Sequence, residues 1–188
     1  MVDGRRRRVE AYVPSVPAAV SPNLLRLVTG LVLLDAGAFM LHASAVVDRG
    51  RARVFWGPSG SGKTTIAKLA GSRLVLNDET VALRQGRAGW SAVATPFFGQ
   101  GGPTMARVNT SAPLRAGFFL RKAASFSHRR LSPPEAVARL FGQVFLPKRA
   151  RHVVERLVAA LTAFAVEVPC YELRFAPDVR LWEYVDGL

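Results

Sequence analysis

The chain has 188 residues, 49% of them hydrophobic and 21% charged, which suits one globular domain with a sizeable core and is too short for two. Its formal charge of +13 comes from 26 Lys and Arg against 13 Asp and Glu, yet the arginines are scattered rather than gathered in one stripe, so specific nucleic-acid binding is not expected. A single cysteine, Cys170, excludes an internal disulfide framework and a cysteine-rich metal site, and fits a reducing compartment.

In chain order, residues 1–20 read as an irregular or edge-strand lead-in, and the arginines at 5–8 are followed by prolines and Glu10 rather than by a signal-peptide core. The apolar stretch 24–47 is interrupted by Arg26, Asp35 and His42, so it fails as a membrane span. A cytoplasmic, soluble protein without membrane attachment is the expectation. "SPNLLRLVTGLVLLDAG" starts on Ser21 as N-cap and Pro22 at the first helical position and stops near Gly37, predicting a buried helix. "FMLHASAVV" and "ARVFW", separated by "DRGR", predict a β-hairpin. A glycine-rich turn and the short helix "KTTIAKLAG" follow, with Gly71 as a C-cap. "RLVL" is a strand, and "TVALR" and "WSAVAT" around "QGRAG" are a second hairpin. "GFFL" is a further strand at 117–120, and the "SHRRL" of 127–131 reads as a solvated face or an anion contact. "SPPEAVARLFGQVFL" and "RARHVVERLVAALTAFAVE" keep helical spacing, "CYELRF" is a closing strand, and "VRLWEYV" is a last short element. The fold class expected is therefore α/β: a mixed, hairpin-rich sheet around the loop helix, with residues 132–188 as a helical C-terminal part in a single domain. Hairpins on both sides of such a loop differ from the alternating strand and helix order that gives a parallel sheet.

The strongest chemical signal is "RVFWGPSGSGKTT" at 53–65. Gly57, Gly62, Lys63 and Thr64 fit the G-x-x-x-x-G-K-[ST] pattern, in which backbone N–H groups curl around phosphates and a lysine reaches their outer oxygens. Gly57, Pro58, Ser59, Gly60, Ser61, Gly62, Lys63, Thr64 and Thr65 are the expected nucleotide-binding residues, and Thr64 supplies a hydroxyl for Mg²⁺. The second signal is "RLVLNDETVAL" at 73–83. A carboxylate at a strand end some fifteen residues beyond the lysine is where a phosphate-bound Mg²⁺ needs one, and Asp78 is the choice, with Glu79 its neighbour on the opposite pleat if the strand persists. The plain alternative is a polar turn between strands. His42, on the strand that pairs with the one entering the loop, is a third candidate, either as a proton carrier and partner of Asp78 or as an ordinary core histidine.

The run from 41 to 83, "LHASAVVDRGRARVFWGPSGSGKTTIAKLAGSRLVLNDETVAL", resembles the C-terminal kinase domain of HPr kinase/phosphorylase and, more distantly, the ATP-dependent phosphoenolpyruvate carboxykinases. A looser likeness to small stand-alone HPr-kinase-like proteins continues through "TPFFG", "APLRAGFFLRKA" and "LSPPEAVARL". The resemblance implies that Lys63 and the loop amides hold the β- and γ-phosphates of ATP, that Thr64 and Asp78 serve Mg²⁺, and that His42 stands beside an acidic catalytic site. Two departures narrow it. Asn77 stands where the family has the first of two aspartates, and an amide cannot take a serine's proton. The family's signature around its protein substrate is missing from "FFGQGGPTMARVN", so HPr itself is not the expected acceptor.

A further cation in the transition state would have to come from Arg107, Arg115, Arg121, Lys122 or the residues 128–130, of which Arg121 is singled out. The expectation is an ATP- and Mg²⁺-dependent kinase acting on a hydroxyl of a peptide, protein or small molecule, with a homo-oligomer left open. A non-catalytic nucleotide-binding regulatory module and a nucleic-acid-associated NTPase are the rival readings.

Overall fold

In the computed structural model, residues 2–3, 8–9, 21–99, 109–146 and 150–188 are described. Ten strands and five helices are present among them. A small antiparallel ladder, β1 (Val2–Asp3) with β2 (Arg8–Val9), stands apart from the main body of sheet. Helix α1 (Ser21–Asp35) ends at Gly37, whose φ of +72° is the left-handed turn expected after a helix. It is not the buried helix its apolar sequence suggests: Leu34 faces inward, whereas Leu25 and Val32 are 55% and 44% exposed. The helix lies against β3 with α4 beside it, so only one face is covered.

Strand β3 (Ala38–Asp48) and β4 (Arg51–Trp56) form the first expected hairpin, paired from Ala43↔Trp56 to Asp48↔Arg51. The helix after the glycine-rich turn, α2 (Lys63–Lys68), is short, ending before the glycine proposed to cap it, with a tight turn from Ala70 N–H to Ala67 O and Gly71 at φ +62°. β5 (Leu74–Asn77) returns antiparallel to β3, and β6 (Thr80–Gly86) with β7 (Gly89–Val93) is the second hairpin. β8 (Ser111–Lys122) is three times longer than the four-residue strand legible in "GFFL". β9 (Ser127–Arg130) is a strand where the sequence suggested a solvated face; all four residues are exposed, so no apolar alternation marked it. α3 (Pro133–Phe141) begins with the Ser132/Glu135 capping box and stops at Gly142, short of the expected Leu146. Beyond it Val144 bridges to Leu41 of β3, so sheet pairing ends the helix. α4 (Arg151–Glu167), β10 (Cys170–Phe175) and α5 (Leu181–Asp186) complete the chain.

The expected mixed sheet is present, and its course is bent. The first half of β3 pairs β6, its second half pairs β4 and β5, and β8 likewise leaves β7 to run parallel to β4 and then to β10. β3, β6, β7, β8 and β4 therefore close on one another. β10 is interior, because β9 covers its outer edge. One apolar cluster joins Phe39, Trp56, Trp90 and Phe164 beneath α3 and α4; the other joins Phe55, Phe118, Phe175 and Trp182 beneath α2 and α5. In the first, Phe39, Trp90 and Phe164 meet edge on or tilted at 5.2–5.7 Å between centroids, the geometry aromatic quadrupoles favour.

Cys170 lies in this core, and burial pushes its thiol up to about 12. Iodoacetamide at about pH 8 should accordingly leave the native protein unlabelled and label it fully in guanidinium, as read by intact mass. Among the described residues no helix is long and apolar enough to cross a membrane.

Candidate functional site

The phosphate-loop pattern sits between β4 and α2. β4 is held on both edges, by β3 and by β8, so the loop leaves a rigid strand. Close approach dictates two of its glycines. A Cβ on Gly57 would stand 2.8 Å from Ser61 Oγ, and Gly62, at φ +104°, would place one 2.5 Å from Phe175 Cζ. The loop closes on itself through Ser61 N–H to Pro58 O, 3.1 Å. Lys63 is 6% exposed and donates to Gly57 O at 2.9 Å and Pro58 O at 3.1 Å. Burial lowers its pKa, and the charge of Glu79 opposes that shift.

A cavity of about 540 Å³ opens over the loop, lined by His42, Ser59, Gly60, Gly62, Lys63, Thr64, Thr65, Glu79 and Lys122. The geometry thus gathers most of the residues read from sequence. Gly57, Pro58 and Ser61 shape the loop without facing the cavity.

The acidic pair divides. Asp78 is 3% exposed and accepts from Gly99 N–H at 3.3 Å, whereas Glu79 lines the cavity. His42 Nδ1 lies 3.0 Å from Glu79 O and 3.4 Å from Glu79 Oε1. A carbonyl only accepts, so Nδ1 carries the hydrogen and Nε2 is the basic nitrogen of the neutral ring.

Burial lowers the His42 pKa first and Lys63 second, with a smaller push from Arg26; Glu79 acts against them. The unfolded chain takes the proton near the ordinary 6.5 while the folded chain resists it, so acidification below that value removes stability. An NMR titration should place the His42 midpoint below 6.5, and Lys63→Met should move it upward.

Asn77 is 1% exposed; it closes β5, opposite Ala45 of β3, and its side chain holds the turn that follows. Its Nδ2 donates to Thr95 O at 3.0 Å, and its Oδ1 accepts from the N–H groups of Glu79 at 2.8 Å and Thr80 at 3.0 Å. It is a strut that fixes where β6 begins, and through that where Glu79 stands.

Of the cations proposed from sequence, Lys122 lines the cavity and Arg121 does not; Arg121 lies over the Phe119 ring, and Arg107 is outside the described residues. Arg115 reaches Leu188 O, and residues 128–130 lie in β9. Sequence reading missed Arg26. On α1, it stands 5.6 Å from the ring centroids of both Phe97 and Phe145, and Phe145 meets the His42 ring edge on. Its only sequence signal was a charge inside an apolar helix.

Oxygen donors suited to Mg²⁺ are present, since the Thr64 hydroxyl and the Glu79 carboxylate line the same cavity. No three His, Cys, Asp or Glu side chains gather to cage a metal among the described residues. That donor set fits an ion that shares its coordination with phosphate and water.

Comparison with known proteins gives a family match, to "SynChlorMet cassette protein ScmC", over residues 24–188. No curated protein matches the chain. Among solved structures, the Hpr(Ser) kinase/phosphatase from Coxiella burnetii is similar at 12% identity, over 79% of this chain and 92% of that one, with a TM-score of 0.43.

Proposed function

The chain belongs to the SynChlorMet cassette protein ScmC family, and from the chemistry of its cavity we infer that it binds a nucleoside triphosphate with Mg²⁺ and transfers the terminal phosphoryl group to a hydroxyl acceptor. The observation that carries this reading is the meeting of three groups in one cavity: the phosphate loop with Lys63, the oxygen donors Thr64 and Glu79, and the His42 ring.

Each residue then has a task. Loop amides and the Lys63 ammonium bind the β- and γ-phosphate oxygens, Lys63 exchanging its bonds to the Gly57 and Pro58 carbonyls for bonds to the anion. Thr64 and Glu79 hold Mg²⁺, which when bound neutralises charge on the phosphate oxygens. This reading moves the metal carboxylate from Asp78 to Glu79, because Glu79 lines the cavity and Asp78 supports the backbone at Gly99. The acceptor oxygen forms a bond to the γ-phosphorus as the bond from that phosphorus to the β,γ-bridging oxygen breaks. The nucleoside diphosphate leaves, and the hydroxyl proton passes to His42 Nε2, where Glu79 stabilises the imidazolium. Loose phosphoryl-transfer transition states depend more on placed charge than on a strong base, so Asn77 does not disable the site.

Incubation with γ-labelled ATP, Mg²⁺ and a panel of serine-, threonine- and sugar-hydroxyl acceptors tests the reading. Acid-stable label on an acceptor, lost in His42→Ala, is the result expected. Tight ATP binding without transfer to any acceptor would reassign the protein as a nucleotide-dependent binding module.

A further inference from the structure

Beside the phosphate cavity lies a second, of about 430 Å³, lined by Gly62, Thr65, Lys122, Ala123, Phe175 and Pro177. The two share Gly62, Thr65 and Lys122, whereas His42 and Glu79 line only the first. An elongated ligand can therefore pass from one to the other across the first turn of α2. We propose that the second cavity receives the base of the nucleotide, a planar heteroaromatic ring held by its faces, with the γ-phosphate directed toward His42 and Glu79. This rests on the nucleotide-binding reading above and adds to it a direction and a selectivity.

The lining chemistry suits a flat apolar face. Pro177, Ala123 and the backbone of Gly62 contribute carbon surface, backed by the buried Phe175 ring, while the polar side chains, Thr65 and Lys122, stand on the shared border where sugar and α-phosphate would cross. The wall is built before any ligand arrives. Phe175 is 2% exposed and wedged beneath Gly62, Lys122 pairs with Phe175 in the parallel ladder of β8 and β10, and Ala123 N–H donates to Phe175 O at 2.9 Å. The buried ring behind the wall, the border cation and Ala123 are thus set in place by one strand pair.

Adenine and guanine differ along their edges, in which positions donate and which accept, and much less in their faces. No lining side chain other than those on the border can read an edge, so the pocket should accept both purines with little distinction. Burying a base face against this aliphatic wall should be worth roughly tenfold in affinity.

Calorimetric titration of the whole chain with ATP, GTP and inorganic tripolyphosphate, each with Mg²⁺, tests this. Wild type should bind ATP and GTP within about threefold of each other and both at least about tenfold more tightly than tripolyphosphate. Ala123→Trp, which fills the second cavity, should bring ATP down to the affinity of tripolyphosphate while leaving tripolyphosphate itself unchanged; that retained binding also reports a folded chain. Pro177→Asp, at an exposed wall position, should weaken ATP more than tripolyphosphate. Equal binding of ATP and tripolyphosphate by wild type overturns the base pocket and spares the phosphate cradle. An ATP advantage that survives both substitutions places the base elsewhere, and a strong preference for one purine overturns recognition by faces alone. Failure of all three ligands to bind removes the phosphate reading itself, and the base pocket with it.

Discussion

Lys63→Ala should lower phosphoryl transfer by about 10²- to 10³-fold, the loss typical of removing one preorganised donor from a developing anion. The structure supplies the reason. The ammonium is nearly buried and held within the loop by the carbonyls of Gly57 and Pro58, so it stands beside the phosphate position and meets the anion by exchanging those two bonds. Stability should move the other way. Burial depresses the Lys63 pKa below its ordinary 10.5, so the folded chain holds this proton less well than the unfolded chain does. Unfolding is favoured by that difference at neutral pH, and the penalty fades as pH rises through the folded pKa toward 10.5. Lys63→Met, which keeps the stem and removes the charge, should be inactive yet melt no lower than wild type at pH 7. Differential scanning calorimetry beside a phosphate-release assay reads both. A variant that loses activity and melts well below wild type would show Lys63 acting through the fold rather than on the phosphate.

Asn77→Asp should destabilise the protein by roughly 1–3 kcal/mol at neutral pH, the penalty for leaving a buried polar group without its partner. The substitution restores the acidic pair of the family that this chain resembles, and should still yield no gain in activity. An aspartate would keep the two N–H groups of Glu79 and Thr80 on one oxygen but turn its other oxygen toward Thr95 O, where the amide now donates at 3.0 Å. Two acceptors would then face each other in a site 1% exposed. Protonation relieves the conflict, since a carboxylic acid can donate to Thr95 O, so the new group's folded pKa rises above its unfolded value near 3.9. The variant should approach wild-type stability at acid pH and lose stability as pH rises between those two values. Chemical denaturation at about pH 4 and pH 7 measures the difference. Equal losses at both would show that the Thr95 contact is not the cause.

The glycine-rich turn, both hairpins and the long α4 were legible because each is governed by local signals: glycine spacing, apolar runs split by turn residues, and an apolar helical face. β9 was not, since an edge strand of exposed Ser127, His128, Arg129 and Arg130 takes its conformation from hydrogen bonds to β10 and has no apolar pattern to reveal. The end of α3 was hidden for a related reason, because the bridge from Val144 to Leu41 joins residues a hundred positions apart. In the site, sequence reached "NDE" at 77–79 but could not say which side chain faces the cavity. The strand does not persist past Asn77: Asp78 and Glu79 lie in the bend between β5 and β6, and which of them meets the loop is decided by the turn at Asn77 and its bond to Thr95. Arg26 lay beyond reach because its partners, Phe97 and Phe145, come from distant parts of the chain.

His42 occupies the residue at which β3 changes partners: it pairs with Thr80 of β6, and the next residue, Ala43, pairs with Trp56 of β4. Its own N–H donates to Gln143 O, and that of Ala43 to Glu79 O. Backbone bonds to separate segments thus fix the position, and the imidazole adds only its Nδ1–H bond to Glu79 O. Such a seat can be refilled over evolutionary time. Serine, glutamine or aspartate at 42 would keep those backbone bonds and the strand crossing, so under the function proposed above the chemistry of the site could change by a single codon while the architecture stays the same.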